Sequence, residues 1–522
     1  MAVTDFLNLK ETRLSAPSVR DRLVPPMPGN PLWGWLGPIL VMIFGGVLRF
    51  LNLGHPKAVV FDETYYAKDA FSIITNLVER TFIKDADKAI LAGNTDVFAN
   101  EPSYVVHPPL GKWLIGAGEW LYGMNPLGWR VAAAFFGTLS ILIIARLARR
   151  MTRSTLLGCF AGLLLALDGL HFVLSRTALL DIFLMFFVLA AFACLVVDRD
   201  KARARLVDWY ETSAVTAEGP WLGVRPWRIA AGLMLGAACA VKWSGAFFFV
   251  FFIMSWLWDA GARKAVGLRS PYRGALVKDV PTGLIAAVVV PAVTYLVSWT
   301  GWFVTDKGWG RNWEEATSSG PFYFLFSSFR SLVDYHLQVL SFHSDLTSTH
   351  PYQSEPWSWP LLLRPVAFYY EGRQDVCGVK DCSEAVLGVG TPVIWYGALA
   401  ALVALIAWYV ASRDWRAGAV LLGYAVAWLP WFYFAFKDDR TMFLFYAIPM
   451  LPFMILAITL CAGLLIGPKG SSQTRRTVGA AIVGSFALLA LINFWWLYPV
   501  LSAEVIPYTQ WKARMLFEKR WI

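Results

Sequence analysis

Long apolar runs with few or no charges, such as Pro38–Leu51 and Ile394–Val410, recur along this chain and are separated by short basic stretches. About 20 apolar residues at about 1.5 Å each cross the hydrocarbon layer of a bilayer as a helix. The pattern predicts about eleven spans, near 33–51, 127–147, 155–173, 177–197, 227–242, 244–259, 281–303, 391–411, 416–436, 441–466 and 477–497. Two longer segments, 52–126 and 304–390, interrupt this series. Within the first, Tyr66–Arg80 places Ala70, Ile73, Ile74 and Leu77 at helical spacing beside Lys68, Asp69 and Glu79. That spacing predicts a helix lying in the membrane interface, and Leu110–Tyr122 predicts a second. The expected fold is an all-α polytopic membrane protein. Its parts are an N-terminal segment 1–32, a transmembrane module 33–303, an outer loop 304–390, C-terminal spans 391–497 and an outer tail 498–522.

Composition agrees with the pattern: 57% of the 522 residues are hydrophobic and 16% charged, against about 25% charged in soluble domains. The first 30 residues lack the charged start, short apolar core and small-residue site of a cleaved signal peptide, so the first span is expected to remain. With a cytoplasmic N-terminus, Arg146–Arg153, Arg199–Arg205, Arg263–Lys278 and Lys469–Arg476 all fall inside, and all are basic. This satisfies the positive-inside rule and puts both long segments outside a multi-pass cell membrane. The polar linker 208–225 is then a cytoplasmic loop. The net charge of +10 reads as these loops plus a site for an anionic ligand, rather than as a nucleic-acid surface. Cys159, Cys194, Cys239 and Cys461 lie in apolar runs as small hydrophobes. Cys377 and Cys382 share a polar loop, where an oxidising compartment would permit a disulfide.

The candidate chemistry gathers on the outer side. Asp62 and Glu63 follow the first span by about ten residues. They are either an acidic turn or one catalytic carboxylate with a neighbour that orients it, because two carboxylates in one apolar pocket repel. The turn His107-Pro108-Pro109-Leu110-Gly111-Lys112 is a stiff helix entry that can hold His107 and Lys112 against a ligand. Arg130, Arg176 (with Asp181 five residues on) and Lys242 stand at outer span ends, against the inside preference for positive charge. Together with Lys112 they suggest a pocket for an anionic headgroup, naturally a phosphate. His336, His343, His350 and Tyr352 lie in the second outer segment. Seven-residue helical steps separate the histidines by about 10 Å, too far for one metal ion. Contacts to a sugar or peptide, or plain loop packing, fit them better, and no metal site is expected. Walker A, strand-placed G-x-G-x-x-G, H-E-x-x-H and G-x-S-x-G patterns are missing, which argues against ATP drive and a nucleotide-sugar donor.

Taken together, these motifs resemble protein O-mannosyltransferases of the multispanning GT-C superfamily. The resemblance rests on the early Asp-Glu, the H-P-P-L-G-K turn, Arg130, S-R-x-x-x-L-D ending at Asp181, V-K-W and H-P-Y-x-S-x-P-W-x-W-P from His350. It runs from about residue 40 to 450 in the family's order. The second outer segment is too short for the lumenal MIR domain of eukaryotic members, so the chain is similar to the bacterial, actinobacterial-type branch. The resemblance implies a polyprenyl phosphate mannose donor, Ser/Thr hydroxyls of secreted polypeptides as acceptors, and inversion at the anomeric carbon. It implies Asp62 as base, Glu63 near the acceptor, and His107, Lys112, Arg130, Arg176 and Lys242 at the donor phosphate. It leaves Asp181, His350 and Tyr352 for sugar or acceptor, requires no cofactor from the sequence, and makes contact with the Sec translocon plausible. The competing readings are a GT-C enzyme moving a lipid-linked sugar to a lipid or glycan, and a transporter. The protein-acceptor motifs disfavour the first, and the lack of an internal repeat disfavours the second.

Overall fold

The computed structural model describes residues 18–313, 327–437, 440–468 and 470–521. Residues 1–17 of the expected N-terminal segment, 314–326 of the second outer segment and Lys469 lie outside the described residues. From the N-terminus the main helices are α1 (Trp33–Phe50), α2 (Glu63–Asn76), α3 (Leu110–Tyr122), α4 (Pro126–Thr152), α5 (Thr155–Ala166), α6 (Gly169–Leu174) and α7 (Asp181–Thr212). They continue as α8 (Pro226–Val241), α9 (Trp243–Ala265), α10 (Pro271–Ser298), α11 (Ser327–Ser344), α12 (Pro392–Ser412), α13 (Trp415–Lys437), α14 (Leu444–Ile466) and α15 (Gln473–Leu501). Among the described residues nine of these, α1, α4, α7, α9, α10 and α12 to α15, are long and apolar enough to cross a membrane. The other two of the eleven expected spans coincide with the shorter apolar helices α5 and α8.

Local signals set the helix starts. Asn125 accepts hydrogen bonds from the Leu127 and Gly128 amides at the start of α4, and Ser154 accepts from Leu157 at the start of α5. Pro126, Pro226, Pro271 and Pro392 occupy first helical positions, where a missing N–H costs nothing. The break between α5 and α6 has its own device. Buried Asp168 caps α6 through the His171 amide and accepts from the Thr391 amide and the Trp395 indole, tying this break to α12. Helix α8 packs very closely on α10. A Cβ on Gly232 would lie 2.0 Å from the Ala286 carbonyl oxygen, and one on Gly236 2.7 Å from Pro291 Cα.

The first outer segment differs from its expected form. Helix α2 starts three residues earlier than expected and ends before Glu79, and Lys68 and Asp69 are buried rather than facing solvent. Lys68 finds a partner 2.7 Å away in Asp87. The neighbouring loop supplies partners that helical periodicity does not reveal. Two small antiparallel sheets also depart from the all-α expectation: β1 (Arg80–Phe82) with β2 (Phe98–Pro102), and β3 (Val366–Gln374), β4 (Asp381–Gly388) and β5 (Ile506–Pro507) in that order. β4 is buried along nearly its whole length, so its residues show no period-two alternation. A disulfide joins Cys377 and Cys382 at the β3–β4 turn.

Charge separates the two ends of the bundle. Asp181 opens α7 and Asp198 lies 17 residues further on, about 25 Å along a helix. At the Asp198 end, Asp198, Asp259 and Asp279 pair with Arg225, Arg228 and Arg263 in one buried network. The Asp181 end carries the candidate site.

Candidate active site

Asp62 sits at the entry to α2, immediately after Phe61, whose φ of 49° lies in the left-handed region. A bulky residue there is strained by about 1–3 kcal/mol and needs its surroundings to hold it. Phe61 is held by aromatic packing: stacked on Phe368 at 4.9 Å, and edge-on to Phe445 at 5.8 Å, Phe443 at 6.1 Å and His350 at 6.3 Å. Phe368 reaches it because the β3–β4 register shifts between Ala367 and Tyr369. The box therefore aims the Asp62 carboxylate, which is half-buried and makes no side-chain hydrogen bond among the described residues. Burial raises its pKa to about 6, with the nearby Lys242 cation opposing and Asp181 reinforcing the rise.

Glu63 points the other way. It is fully buried. One carboxylate oxygen accepts from Arg130 Nε at 2.8 Å and the Ala178 amide at 3.0 Å; the other accepts from Arg130 Nη2 at 2.8 Å and the Val60 amide at 2.9 Å. The remaining Arg130 donors go to the carbonyls of Leu53, Pro56 and Ala58. Adjacent carboxylates are thus divided between two environments, one open and one saturated.

Each of the four cations grouped by the sequence is held by groups of the chain itself. Lys242 is the one beside Asp62; it is held by both Asp181 oxygens at 2.8–2.9 Å and lies 4.9 Å from the Tyr446 ring centroid. Lys112 pairs with Glu79 and donates to the His107 carbonyl at 3.0 Å, bracing the Pro-Pro turn. Arg176 donates to the carbonyls of Leu48, Arg49, Leu51 and Asn52. Leu48 and Arg49 belong to the last turn of α1, whose carbonyls a helix leaves without partners, and Leu51 and Asn52 follow it directly.

A cation not singled out in the sequence comes in from the far half of the chain. Arg440 donates to the His343 carbonyl at 3.1 Å, and its Nη2 lies 3.1 Å from His343 Nδ1. His343 Nε2 in turn lies 3.0 Å from the Val106 carbonyl, which fixes Nε2–H as donor and Nδ1 as acceptor. The ring stacks on His107 at 5.4 Å, and burial with the Arg440 charge lowers its pKa to about 4. Burial, then Lys242 and its neighbours, likewise push His107 down. Tyr66, one turn after Asp62, lies 6.2 Å from the His107 ring. Asp69, one turn further, is buried near Lys112 and Glu79; burial lifts its pKa to about 7. His336 bonds Tyr295 at 2.6 Å, and His350 Nδ1 accepts from the Tyr352 amide at 3.1 Å. The three histidines have separate partners, and no group of three or more His, Cys, Asp or Glu forms a metal cluster among the described residues.

Two family models cover this chain: dolichyl-phosphate-mannose-protein mannosyltransferase over residues 39–300, and the C-terminal four-transmembrane region of protein O-mannosyltransferase over 328–521. A polyprenol-phosphate-mannose–protein mannosyltransferase of Mycolicibacterium smegmatis strain MKD8 is 41% identical over 512 residues, covering 94% of this chain and 95% of its own. The chain belongs to the protein O-mannosyltransferase family. Relatives of the same name in Mycobacterium tuberculosis and Corynebacterium glutamicum are 39% and 34% identical, covering 94% and 95% of this chain and 92% and 95% of theirs. The fold is similar to that of one chain of the Saccharomyces cerevisiae protein O-mannosyltransferase Pmt1-Pmt2 complex bound to the sugar donor. The TM-score there is 0.68 at 15% identity, over 94% of this chain and 92% of that one. ArnT from Cupriavidus metallidurans in the apo state follows at 0.50 and 13%, over 91% and 77%. The protein is a multi-pass membrane glycosyltransferase of GT-C architecture, and the transporter reading falls away.

Proposed function

We propose that this protein transfers mannose from polyprenyl phosphate mannose to Ser or Thr hydroxyls of secreted polypeptides, at the extracytoplasmic face of the plasma membrane. The observation that carries the mechanism is the open Asp62 carboxylate beside the Lys242–Asp181 pair. A carboxylate with a pKa near 6 is mostly ionised at pH 7 and matched to general-base work. As the acceptor Oγ attacks C1, Asp62 takes the hydroxyl proton, the C1–O bond to phosphate breaks, and polyprenyl phosphate departs with the electron pair. Its negative charge falls to Lys242 and Arg440, while His107 and His343 stay neutral and shape the site. One displacement inverts the anomeric carbon, so a β-linked donor yields an α-mannoside. His350 and Tyr352, beside the Phe61 box, are the side chains assigned to the acceptor.

The other residues support these. Glu63 and Arg130 hold the Asp62 turn against α4 and the α6–α7 turn, Arg176 holds α1 to that turn, and Asp181 aims Lys242. The relatives' names supply the donor, and the basic short loops supply the sidedness. An emerging unfolded chain is the accessible form of such an acceptor, which makes the Sec translocon a natural neighbour. The test is transfer of labelled mannose from polyprenyl phosphate mannose to a Ser/Thr-rich peptide by the full chain. Asp62→Asn should abolish transfer, and NMR of the product should show an α linkage. Full transfer by Asp62→Asn would remove Asp62 as base, and a β product would remove single displacement. Label recovered only in lipid would replace the protein acceptor.

A further inference from the structure

The outer ends of α1 and α15 and the α6–α7 turn enclose a cleft of about 470 Å³ lined by Asn52, His55, Arg176, Tyr498, Ser502 and Glu504. A small inner cavity shares His55, Arg176 and Ser502 with it and reaches Arg130. Arg176 is only 6% exposed. Among the described residues its acceptors are neutral carbonyls, taken by Nη1 and Nη2, and Nε–H takes part in none of these bonds. A buried guanidinium without a carboxylate partner is an incomplete arrangement, since neutral acceptors satisfy its hydrogens but not its charge. Burial lowers its pKa to about 10; the Tyr498 hydroxyl opposes this and the Arg130 charge adds to it. The one carboxylate of the lining, Glu504, is exposed at the rim and also acts on Arg514.

The surroundings identify the depth. Val47, Phe50 and Leu51 on one side, and Trp495 and Trp496 on the other, are exposed apolar residues at the outer ends of two candidate spans. Paired tryptophans at such a place mark the headgroup level. This cleft is separate from the mannosyl site: the charges acting on Asp62 are Lys242 and Asp181, and the Glu63–Arg130 pair stands between.

We propose that this cleft binds the phosphate of an anionic membrane lipid, with Arg176 as its cation and Asn52 at its mouth, while His55 is held aside by the Ala503 carbonyl and buried Glu384. The apolar flanks would receive the acyl chains, and an occupied site would lock α1, α15 and the turn that carries Arg176. The binding needs no sugar transfer, so it stands or falls independently of the catalytic assignment.

The test titrates the full, delipidated chain with phosphatidylglycerol and with uncharged diacylglycerol, read by native mass spectrometry, and adds inorganic phosphate as competitor. Asn52→Asp places a carboxylate at the mouth while leaving the Arg176 bonds, which use the Asn52 backbone carbonyl. Residue 52 has φ 53°, a region where Asp is as much at home as Asn. Phosphatidylglycerol should bind in preference to diacylglycerol and lose at least about tenfold in affinity in Asn52→Asp, while Lys242→Gln should leave it unchanged. Arg176→Gln should lose it too, but that variant also uncaps α1, so Asn52→Asp decides. Competition by inorganic phosphate would support the site with a soluble phosphate as its source; binding that resists phosphate but falls in Asn52→Asp would support the lipid. Asn52→Asp binding within twofold of wild type, or loss of binding in Lys242→Gln, would overturn the proposal.

Discussion

Removing the Glu63 charge separates a structural role for this residue from a role at the acceptor. Its carboxylate receives four donors, two from Arg130 and the amides of Val60 and Ala178, with nothing exposed. Glu63→Gln keeps the shape but turns one acceptor oxygen into an NH2 group facing two of those donors, and leaves the Arg130 charge buried without a counter-ion. Breaking a buried pair from one side costs about 3–5 kcal/mol. At about 2.1 cal/mol/K per residue, unfolding a 522-residue chain carries an entropy of about 1.1 kcal/mol/K, so the apparent Tm should fall by about 3–5 °C. Tryptophan fluorescence during heating of the detergent-purified protein reads this. Transfer should fall in kcat, because the turn presenting Asp62 loosens, with the acceptor KM little changed. Adding Arg130→Met should return most of the lost Tm, because the unpaired charge goes with it. An unchanged Tm with a raised acceptor KM would refute the reasoning and put Glu63 at the acceptor.

Three further outcomes follow from the same geometry. Because Asp62 must be ionised to accept a proton, the pH profile of kcat/KM should lose activity as pH falls through about 6. Lys242→Met removes the cation that lowers this pKa, so the acidic limb should move to higher pH; a limb that stays in place would separate Lys242 from the base. His343→Ala should release Arg440 and reduce kcat/KM by about 5–30-fold, for the loss of about 1–2 kcal/mol, mainly through the donor KM. Asp69 has a folded pKa of about 7, above its unfolded value of about 3.9, so its neutral form favours folding. That contribution is complete below about pH 4 and lost as pH rises through 7. Asp69→Asn should therefore reduce the drop in apparent Tm between pH 5 and pH 8, and an unchanged drop would show that Asp69 is not its source.

The legibility of the site was uneven. Asp62, the Pro-Pro turn and Lys242 stood out because each lies in a short local pattern at the end of an apolar run. Arg440 had no such pattern; its role depends on His343, 97 positions away in sequence. Arg130 and Arg176 stand in equally visible local patterns, but their partners are not local. Arg130 is taken by Glu63, 67 positions earlier, and Arg176 by the carbonyl end of α1. Helix α2 is visible through its apolar spacing, but the burial of Lys68 is not, because its partner Asp87 comes from the neighbouring loop. Asp168, a lone acid inside an apolar run, marks the α5–α6 break.

By itself the sequence determined what depends on neighbours along the chain: the apolar lengths that make spans, the basic loops between them, and the short motifs at their ends. Each follows from transfer of contiguous side chains between water and hydrocarbon, a sum over local residues. The tertiary structure alone decided which charges are spent on holding the scaffold and which stay open. A carboxylate or guanidinium acts on whatever lies within a few ångströms of it. In this protein those partners come from distant turns, so Asp62 is left open and Glu63, its immediate neighbour, is closed.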